Sequence, residues 1–256
     1  MGIKKEIWKG VYITYKDAKN ESAGLGFSSD RWIETACNKV IAFREKLSKE
    51  SHPSPISNRF SSLPLLISSI SNNNNKVSIL DFGGGPGTQY EMLKAYTCDN
   101  LKIDYSIVET KETVLAGRRL FKNDRNISFH TDFLSVRSNI QIAYSNSAIQ
   151  YIDDWEAVIA KMVENNPDYL LLDDVPAGDF ESFTALQDYY GSRIPHRFFN
   201  IDETVEKISK NGYNLVYKSK YFGPVLGSFS IWPMNNFDNN HKLDYSCSLL
   251  FKIKEG

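Results

Sequence analysis

The chain has 256 residues, 41% hydrophobic and 24% charged, which fits a globular α/β domain with an appended segment. Its formal net charge of −1 gives no reason to expect nucleic acid or an anionic membrane as a partner. No run of about 18 apolar residues occurs, and the first residues lack the apolar stretch of a signal peptide. Three widely spaced cysteines argue against a metal site or a disulfide framework. We therefore expect a cytoplasmic protein without a metal ion.

The N-terminal part of the chain is predicted to be aromatic at first and then helical. Residues 1–27 carry aromatic side chains and glycines without clear periodicity, which predicts irregular structure. Apolar residues at three- and four-residue steps then predict a helix from Ser29 or Asp30 to about Lys49. A second, short helix is expected to begin near Leu63.

A polar connector of low complexity at 71–76 marks the expected boundary of the main domain. We predict an N-terminal extension over 1–70 that acts as a lid or cap, and a main domain over 77–256. Residues 176–200 do not fit the pattern of the main domain and are predicted to be an insertion or a further part of the lid.

Strands and helices alternate after the connector. The predicted order is a strand at 77–80, a helix at 88–95, a strand at 103–108, a helix at 110–121, strands at 127–130 and 140–144, a helix at 153–163, a strand at 169–172, a helix at 203–210 and strands at 213–222 and 245–252. Such alternation predicts an α/β fold with a Rossmann-like, doubly wound sheet of seven strands. The long loop before the last strand is typical of a functional or mobile segment.

A glycine-rich turn follows the first strand of the main domain. Asp81 ends the apolar run, and Gly83, Gly85 and Gly87 follow at alternate positions before a predicted helix. Thr88 breaks the G-x-G-x-x-G fingerprint of dinucleotide-binding proteins, and the turn lacks the lysine of a phosphate-binding loop. The pattern D-x-G-x-G-x-G instead resembles the first motif of the class I methyltransferases that use S-adenosylmethionine (SAM).

The resemblance implies that this turn binds SAM. Glycines would let the backbone approach the amino-acid part of the cofactor, because no Cβ stands in the way. The acid at the strand end would meet the cofactor's ammonium group. The alternative is a glycine-rich turn without a ligand. The cofactor contacts expected in the turn are Asp81, Gly83, Gly84, Gly85, Gly87 and Thr88.

Polar residues at the ends of the other strands complete the expected cofactor site, since the carboxyl ends of parallel strands meet at one edge of a sheet. Glu109 follows the next strand and would accept hydrogen bonds from both ribose hydroxyls. Asp132 would accept one from the adenine amino group, with Phe133 beside the ring. The remaining expected contacts follow the fourth strand, where methyl donor and acceptor would meet: Ser145, Asn146, Ser147 and Gln150.

Further segments resemble a narrower group, the methyltransferases encoded among genes for bacterial surface polysaccharides such as capsules. These segments are 7–12, 23–27, 144–152 and 195–200, together with the glycine turn. The resemblance implies a small acceptor related to glycans. O-methylation of a sugar or sugar phosphate is therefore the expected reaction.

The acceptor is expected to bind between the N-terminal aromatic segment and the insertion. Aromatic side chains suit a sugar face, and arginines suit a phosphate or carboxylate. The predicted acceptor contacts are Tyr12, Tyr15, Arg193 and Arg197. A general base is needed only for a hydroxyl or a similarly weak acid, and the candidates are His196, Asp174 and Asp173.

Other functions stay open at this point. A nicotinamide dehydrogenase could use the same scaffold, although Thr88 disfavours it. An aminopropyl transferase would need a more acidic channel for its polyamine. A non-catalytic protein that binds SAM or a partner would be favoured if the aromatic N-terminus formed an open surface. The sequence also leaves oligomerisation open.

Overall fold

The computed structural model describes residues 6–49, 62–70, 76–97, 101–137, 139–221 and 231–255. Its elements are, in chain order, β1 (Trp8–Tyr12), α1 (Tyr15–Asn20), α2 (Asp30–Lys49), α3 (Ser62–Ile70), β2 (Lys76–Phe82), α4 (Thr88–Tyr96), β3 (Lys102–Val108), α5 (Lys111–Leu120), β4 (Ile127–His130), β5 (Ile142–Asn146), α6 (Trp155–Val163), β6 (Tyr169–Val175), β7 (Ala177–Gly178), β8 (Phe183–Tyr189), β9 (Ser192–Asn200), α7 (Ile201–Ser209), β10 (Tyr213–Lys220) and β11 (Cys247–Ile253). Most predicted elements of the main domain are present, although β5 lies two residues later than expected. In the described part of the chain, no helix is both long and apolar enough to cross a membrane.

The larger sheet has seven strands in the order β4-β3-β2-β5-β6-β11-β10. Strands β2 to β6 pair in parallel, whereas β11 is antiparallel to both of its neighbours. The chain leaves β2 toward β3 and β4 and later returns to β5 on the other side, which makes β2 and β5 the switch point of the sheet. The predicted Rossmann-like α/β fold with seven strands is confirmed.

Helices cover both faces of this sheet, as the apolar strands require. Ile79 and Leu80 are neighbours on β2 and pack into two different hydrophobic clusters. Helices α2 to α5 contribute to the cluster that contains Ile79. Helices α6 and α7 contribute to the other cluster, for example through Trp155 and Ile208. The loops at the carboxyl ends of the strands therefore form one edge between two helical layers.

A smaller sheet of four strands joins two segments that are distant in sequence, with the order β1-β8-β9-β7. Strands β8 and β9 form an antiparallel hairpin within the predicted insertion, and β1 pairs antiparallel with β8. The prediction of irregular structure for residues 1–27 is therefore wrong, since β1 and α1 lie there. The partner of β1 is a strand of the insertion, so no local pattern could indicate it.

Some sequence predictions concern residues outside the described ranges. Most of the connector at 71–76 falls there, as does the end of the strand predicted at 213–222. The division into an extension over 1–70 and a main domain over 77–256 stays a prediction, as does the role of the extension as a lid.

Candidate functional site

A cavity of about 540 Å³ opens where the parallel strands end. This volume lies within the range of about 300–1,000 Å³ that is usual for small-molecule sites. Loops at the ends of β2 to β5 form one side, and α2 and the β8–β9 hairpin contribute to the other. The predicted cofactor contacts that line it are Asp81, Gly83, Gly84, Gly85, Thr88, Glu109, Asp132, Phe133, Asn146 and Ser147.

The glycine turn connects β2 to α4. Gly83, Gly85 and Gly87 all have positive φ, at 74°, 59° and 99°, a region that side chains rarely adopt. A Cβ on Gly83 would collide with Ala148, and one on Gly87 would lie 2.7 Å from the ring of Phe121. A Cβ on Gly85 would have no neighbour closer than 4.0 Å. Packing within the protein thus explains Gly83 and Gly87. Gly85 lines the cavity, and the nearest atom to its Cβ position belongs to the ring of Trp32, so close packing does not explain this glycine.

Asp81 is a buried acid with an unused acceptor. The hydroxyl of Tyr105 donates to its Oδ2 at 2.6 Å, and Oδ1 has no hydrogen-bond partner among the described residues. The pKa of Asp81 is raised to about 7, mainly because the carboxyl group is buried; the hydrogen bond from Tyr105 lowers this pKa and the nearby charge of Glu109 raises it. Gly84 has no room for a Cβ because that carboxyl group packs against it. A buried carboxylate oxygen without a partner is costly, so this site suits a cationic ligand.

Glu109 follows β3 and lies across the turn from Asp81. Its Oε1 accepts a hydrogen bond from the N–H of Gly85 at 3.3 Å, and its Oε2 accepts one from the N–H of Thr110 at 2.7 Å. Burial raises the pKa of Glu109, and these two backbone hydrogen bonds oppose the rise. A carboxylate has about four acceptor positions, so the fixed group keeps acceptors for ligand hydroxyls.

Asp132 and Phe133 lie beyond the end of β4 at the far side of the cavity. The N–H of Ser135 donates to Oδ1 of Asp132 at 3.1 Å and lowers the pKa of that carboxyl group. The ring of Phe133 stacks on Phe82, with 5.7 Å between centroids. A carboxylate and a flat apolar surface therefore meet at this end.

The residues after β5 divide into a lining pair and a supporting pair. Asn146 and Ser147 line the cavity. Ser145 is buried behind them and donates to the carbonyl oxygen of Phe82 at 3.0 Å. Gln150 is also buried, and its Nε2 donates to the hydroxyl of Ser147 at 3.2 Å. Ser145 and Gln150, like Gly87, are not among the residues that line the cavity.

The predicted acceptor contacts are not among the lining residues either. They are Tyr12, Tyr15, Arg193 and Arg197. The hydroxyl of Tyr12 donates to Glu21 at 2.8 Å, and Arg193 forms an ion pair with Asp188 at 3.5 Å.

Tyr15 and Arg197 connect α1 to the loop before α6. The hydroxyl of Tyr15 donates to the carbonyl oxygen of Tyr151 at 2.5 Å. Arg197 donates to the carbonyl oxygen of Asp153 at 2.9 Å, and its guanidinium lies over the ring of Tyr15. These contacts explain both side chains without an acceptor, so their placement does not support the predicted role.

The three candidate bases, His196, Asp174 and Asp173, also lie outside the lining. His196 is fully buried against Trp8, Tyr151 and Phe198, and this burial lowers its pKa to about 3. Asp174 accepts a hydrogen bond from a serine hydroxyl outside the cavity. A histidine with so low a pKa is a weak base at neutral pH. The structure therefore gives no support to His196 or Asp174 as a general base.

An aromatic wall forms the side of the cavity opposite the glycine turn. It consists of Phe27, Trp32, Tyr151 and Tyr189. The rings of Phe27 and Tyr151 have centroids 4.8 Å apart, and the indole N–H of Trp32 donates to the hydroxyl of Tyr189 at 3.3 Å. Sequence reasoning placed Tyr151 beside the cofactor but did not assign Phe27, Trp32 or Tyr189 to the cavity. Their meeting depends on contacts between three separate parts of the chain.

Helices α2 and α4 add polar residues that the sequence did not reveal. Lys39 of α2 lines the cavity together with Ala36. Gln89, in the first turn of α4, lines it as well, although it is only 6% exposed. Neither amide atom of Gln89 has a partner in the described ranges. The position of Gln89, two residues after the last glycine of the motif, was a sequence signal that could have indicated its place in the cavity. No sequence signal indicated which face of α2 lies against the edge of the sheet.

Comparison with known proteins gives a fold but no close relative. No protein-family model matches the chain, and no curated protein matches it. The structure of 1,6-didemethyltoxoflavin-N1-methyltransferase from Burkholderia thailandensis, with bound S-adenosylhomocysteine, has a TM-score of 0.51 at 11% identity and covers 88% of each chain. A SAM-dependent methyltransferase from Clostridium acetobutylicum has a TM-score of 0.51 at 13% identity, over 85% of this chain and 99% of its own. The CcbJ methyltransferase from Streptomyces caelestis has a TM-score of 0.51 at 11% identity, over 80% and 94%.

The fold is thus that of the class I SAM-dependent methyltransferases. At these identities the likeness shows the fold alone. The comparisons do not connect the chain with surface-polysaccharide biosynthesis.

Proposed function

We propose that the protein transfers a methyl group from SAM to a small acceptor molecule. The observation that carries this proposal is the buried Oδ1 of Asp81, which belongs to the lining of the cavity beside the D-x-G-x-G-x-G turn and has no hydrogen-bond partner among the described residues. An acceptor atom in that position fits an ammonium group, and SAM carries one in its amino-acid part. The fold makes this cofactor the natural candidate for the cavity.

The residues around the cavity fit the other parts of SAM as well. Glu109 has acceptor positions for the two ribose hydroxyls. Asp132 and Phe133 offer an acceptor and a flat surface for adenine. Gly85 lines the cavity, and no close packing contact within the protein explains why a glycine stands there. Gln89 supplies a buried donor and a buried acceptor that lack partners within the described residues.

SAM supplies an electrophilic methyl group on a positively charged sulfur. The protein's part is to bind, to orient and to exclude water, because an in-line displacement depends mainly on positioning and desolvation. The aromatic wall, Phe27, Trp32, Tyr151 and Tyr189, contributes an apolar surface against which an acceptor can lie. An amine acceptor needs no general base when it is neutral, and a hydroxyl needs one.

The narrower form of the proposal is O-methylation of a sugar or sugar phosphate in cytoplasmic surface-glycan biosynthesis. Two arguments support it: the resemblance of several segments to methyltransferases of that group, and the aromatic wall, since rings pack well on the apolar face of a sugar. Arg193 and Arg197, which would favour a phosphate, have other partners. Within this class, a neutral sugar is therefore the better candidate. We further propose that the N-terminal extension and the 176–200 insertion form a lid over the acceptor.

Titration calorimetry with SAM, S-adenosylhomocysteine (SAH) and NAD tests the cofactor. Binding of SAM and SAH without NAD is expected, and binding of NAD alone would refute the proposal. Transfer of a labelled methyl group from SAM to a panel of nucleotide sugars, sugar phosphates and phenols then tests the acceptor. Labelling of phenols but not of sugars would refute the glycan form while leaving methyl transfer intact.

A further inference from the structure

A chain of hydrogen bonds lies behind Asn146 and connects it to a buried acid. Asp173 on β6 is paired with Asn146 of β5 in the parallel sheet. The hydroxyls of Ser62 and Tyr144 both donate to Oδ2 of Asp173, the latter at 3.3 Å. Nδ2 of Asn146 lies 3.0 Å from the hydroxyl oxygen of Tyr144 and 3.3 Å from that of Tyr221. Tyr144 thus stands between the acid and the amide.

Which group donates and which accepts in these hydrogen bonds follows from the single hydroxyl proton of Tyr144. Burial raises the pKa of Asp173 to about 6, so the carboxyl group is ionised at pH 7.5 and accepts hydrogen bonds. A tyrosine hydroxyl has a single proton, and Tyr144 donates it to Asp173. Toward Asn146 the same hydroxyl can therefore only accept. This requirement orients the amide with Nδ2 toward the two tyrosines and leaves Oδ1 as its remaining polar atom.

Oδ1 of Asn146 accepts no hydrogen bond from any residue that the structure describes. Asn146 lines the cavity on the β5 side of the glycine turn, whereas the proposed ribose and adenine contacts, Glu109 and Asp132, lie on the β3 and β4 side. A cofactor held by Asp81 and Glu109 has its sulfur between its ribose and its amino-acid part. Asn146, on the strand next to β2, is then a polar group on the side of the cavity where we expect transfer to take place.

We propose that Asp173 and Tyr144 act as positioning residues that fix Asn146 with its carbonyl oxygen toward the methyl-transfer point. This inference rests on the proposed function. A fixed acceptor there binds a nucleophile that carries a hydrogen, namely an amine or a hydroxyl, and disfavours a carboxylate or phosphate oxygen. The substrate class is therefore a protic acceptor.

The reaction balances with such an acceptor. The lone pair of its nitrogen or oxygen forms the new bond to the methyl carbon, and the bond between sulfur and methyl breaks with its electrons left on sulfur. Oδ1 of Asn146 accepts a hydrogen bond from the acceptor and orients its lone pair. The proton of an amine leaves to water after the new bond has formed, since an amide oxygen is too weak a base to keep it, whereas a hydroxyl has to pass its proton to a general base.

Sinefungin tests the inference without knowledge of the acceptor. In this SAM analogue a carbon with an amino group replaces the methylated sulfur, so a hydrogen-bond donor occupies the place of the transferred methyl group. Wild-type protein should bind sinefungin about tenfold more tightly than SAH, because a hydrogen bond to a charged group is made in one complex only. In Asn146→Ala and Tyr144→Phe this preference, taken as the ratio of the two dissociation constants measured on the same variant, should fall to within about twofold.

Tyr221→Phe is the matched control. It removes a hydroxyl that contacts the same amide. The hydrogen bonds that run from Asp173 through Tyr144 to Asn146 stay in place in this variant, so the preference for sinefungin should persist. SAH binding by each variant also shows that it is folded. SAH binding by the wild type without preference for sinefungin, or a preference that survives in Tyr144→Phe, would overturn the inference alone. Failure of the wild type to bind either compound would overturn the proposed function and the inference with it.

Discussion

Asp81 should make cofactor binding depend on pH. Its pKa is about 7 in the ligand-free protein because the carboxyl group is buried, with Glu109 nearby. A cationic ammonium group binds the ionised carboxylate and not the neutral acid. Binding therefore requires that the proton of Asp81 be lost, and the affinity should rise with pH up to about 8.

The size of the effect follows from this pKa. When only the ionised form binds, the apparent Kd is multiplied by one plus the ratio of protonated to ionised Asp81. From pH 8 to pH 6 this factor rises about tenfold, which corresponds to about 1.4 kcal/mol of binding free energy. At pH 7 about half a proton should be released for each ligand bound.

Titration calorimetry with SAH between pH 6 and pH 8 measures the affinity and the number of protons released on binding. The proton release is obtained by repeating the titration in two buffers of different ionisation enthalpy. Asp81→Asn is the control, because it should bind more weakly but with no trend over this pH range. An affinity of the wild type that stays flat from pH 6 to pH 8 would show that Asp81 does not bind a cation in its ionised form.

The same raised pKa has a consequence for stability. Asp81 is more easily protonated in the folded chain than in the unfolded one, so its contribution to the stability of the ligand-free protein is complete below about pH 4 and is lost as the pH rises through about 7. Asp81→Asn should accordingly raise the melting temperature of the ligand-free protein at pH 8 and have little effect at pH 4. If Asp81→Asn raised the melting temperature at pH 4 as much as at pH 8, the raised pKa of Asp81 could not be the cause.

Three further predictions concern the turn, the second acid and the lid. Gly85→Val should abolish SAH binding. Gly212→Val, at a φ of 88° compared with 59° at Gly85 and with open space around it, should also carry a strain of about 1–2 kcal/mol and still bind. Equal calorimetric affinities of the two variants would contradict the role of Gly85. Glu109→Ala should weaken SAH binding by about 1.5–3 kcal/mol with little change in the melting temperature of the ligand-free protein, and unchanged affinity would remove Glu109 from the ribose site. Hydrogen exchange in 8–27 and 176–200 should slow when SAH binds if these segments form a lid, and unchanged exchange in both would argue against one.

The main sheet could be predicted because its pattern is local. Each strand is a short apolar run that ends in a polar residue, and each helix begins a few residues later. The smaller sheet could not be predicted in this way. Strand β1 pairs with β8, so that Trp8 lies opposite Gln187, and only the folded chain brings these residues together.

The unsupported expectation for His196 as a general base follows from the failure to predict strand β1. His196 is on β9, where alternate residues point to opposite faces of the smaller sheet. On the face that holds His196, the ring of Trp8 packs against it with 5.5 Å between centroids, and Trp8 belongs to β1, a strand that the sequence did not reveal. The burial of His196, and hence its low pKa, depends in part on β1, a strand for which the sequence has no local signal.

The glycine-turn side of the cavity could be predicted from local sequence, whereas the aromatic wall could not. Asp81, Gly85 and Glu109 follow directly from two adjacent strands, so their place at the edge of the sheet is set by a short stretch of chain. The aromatic wall is assembled from the N-terminal segment, the loop after β5 and the β8–β9 hairpin, and a hydrogen bond from Tyr15 to the backbone of Tyr151 holds the first two together. Substitutions in these segments can reshape the acceptor side without disturbing a residue of the glycine turn. A cofactor can therefore be read from a motif, whereas the acceptor has to be found from long-range packing and from the direction of hydrogen bonds such as those around Asn146.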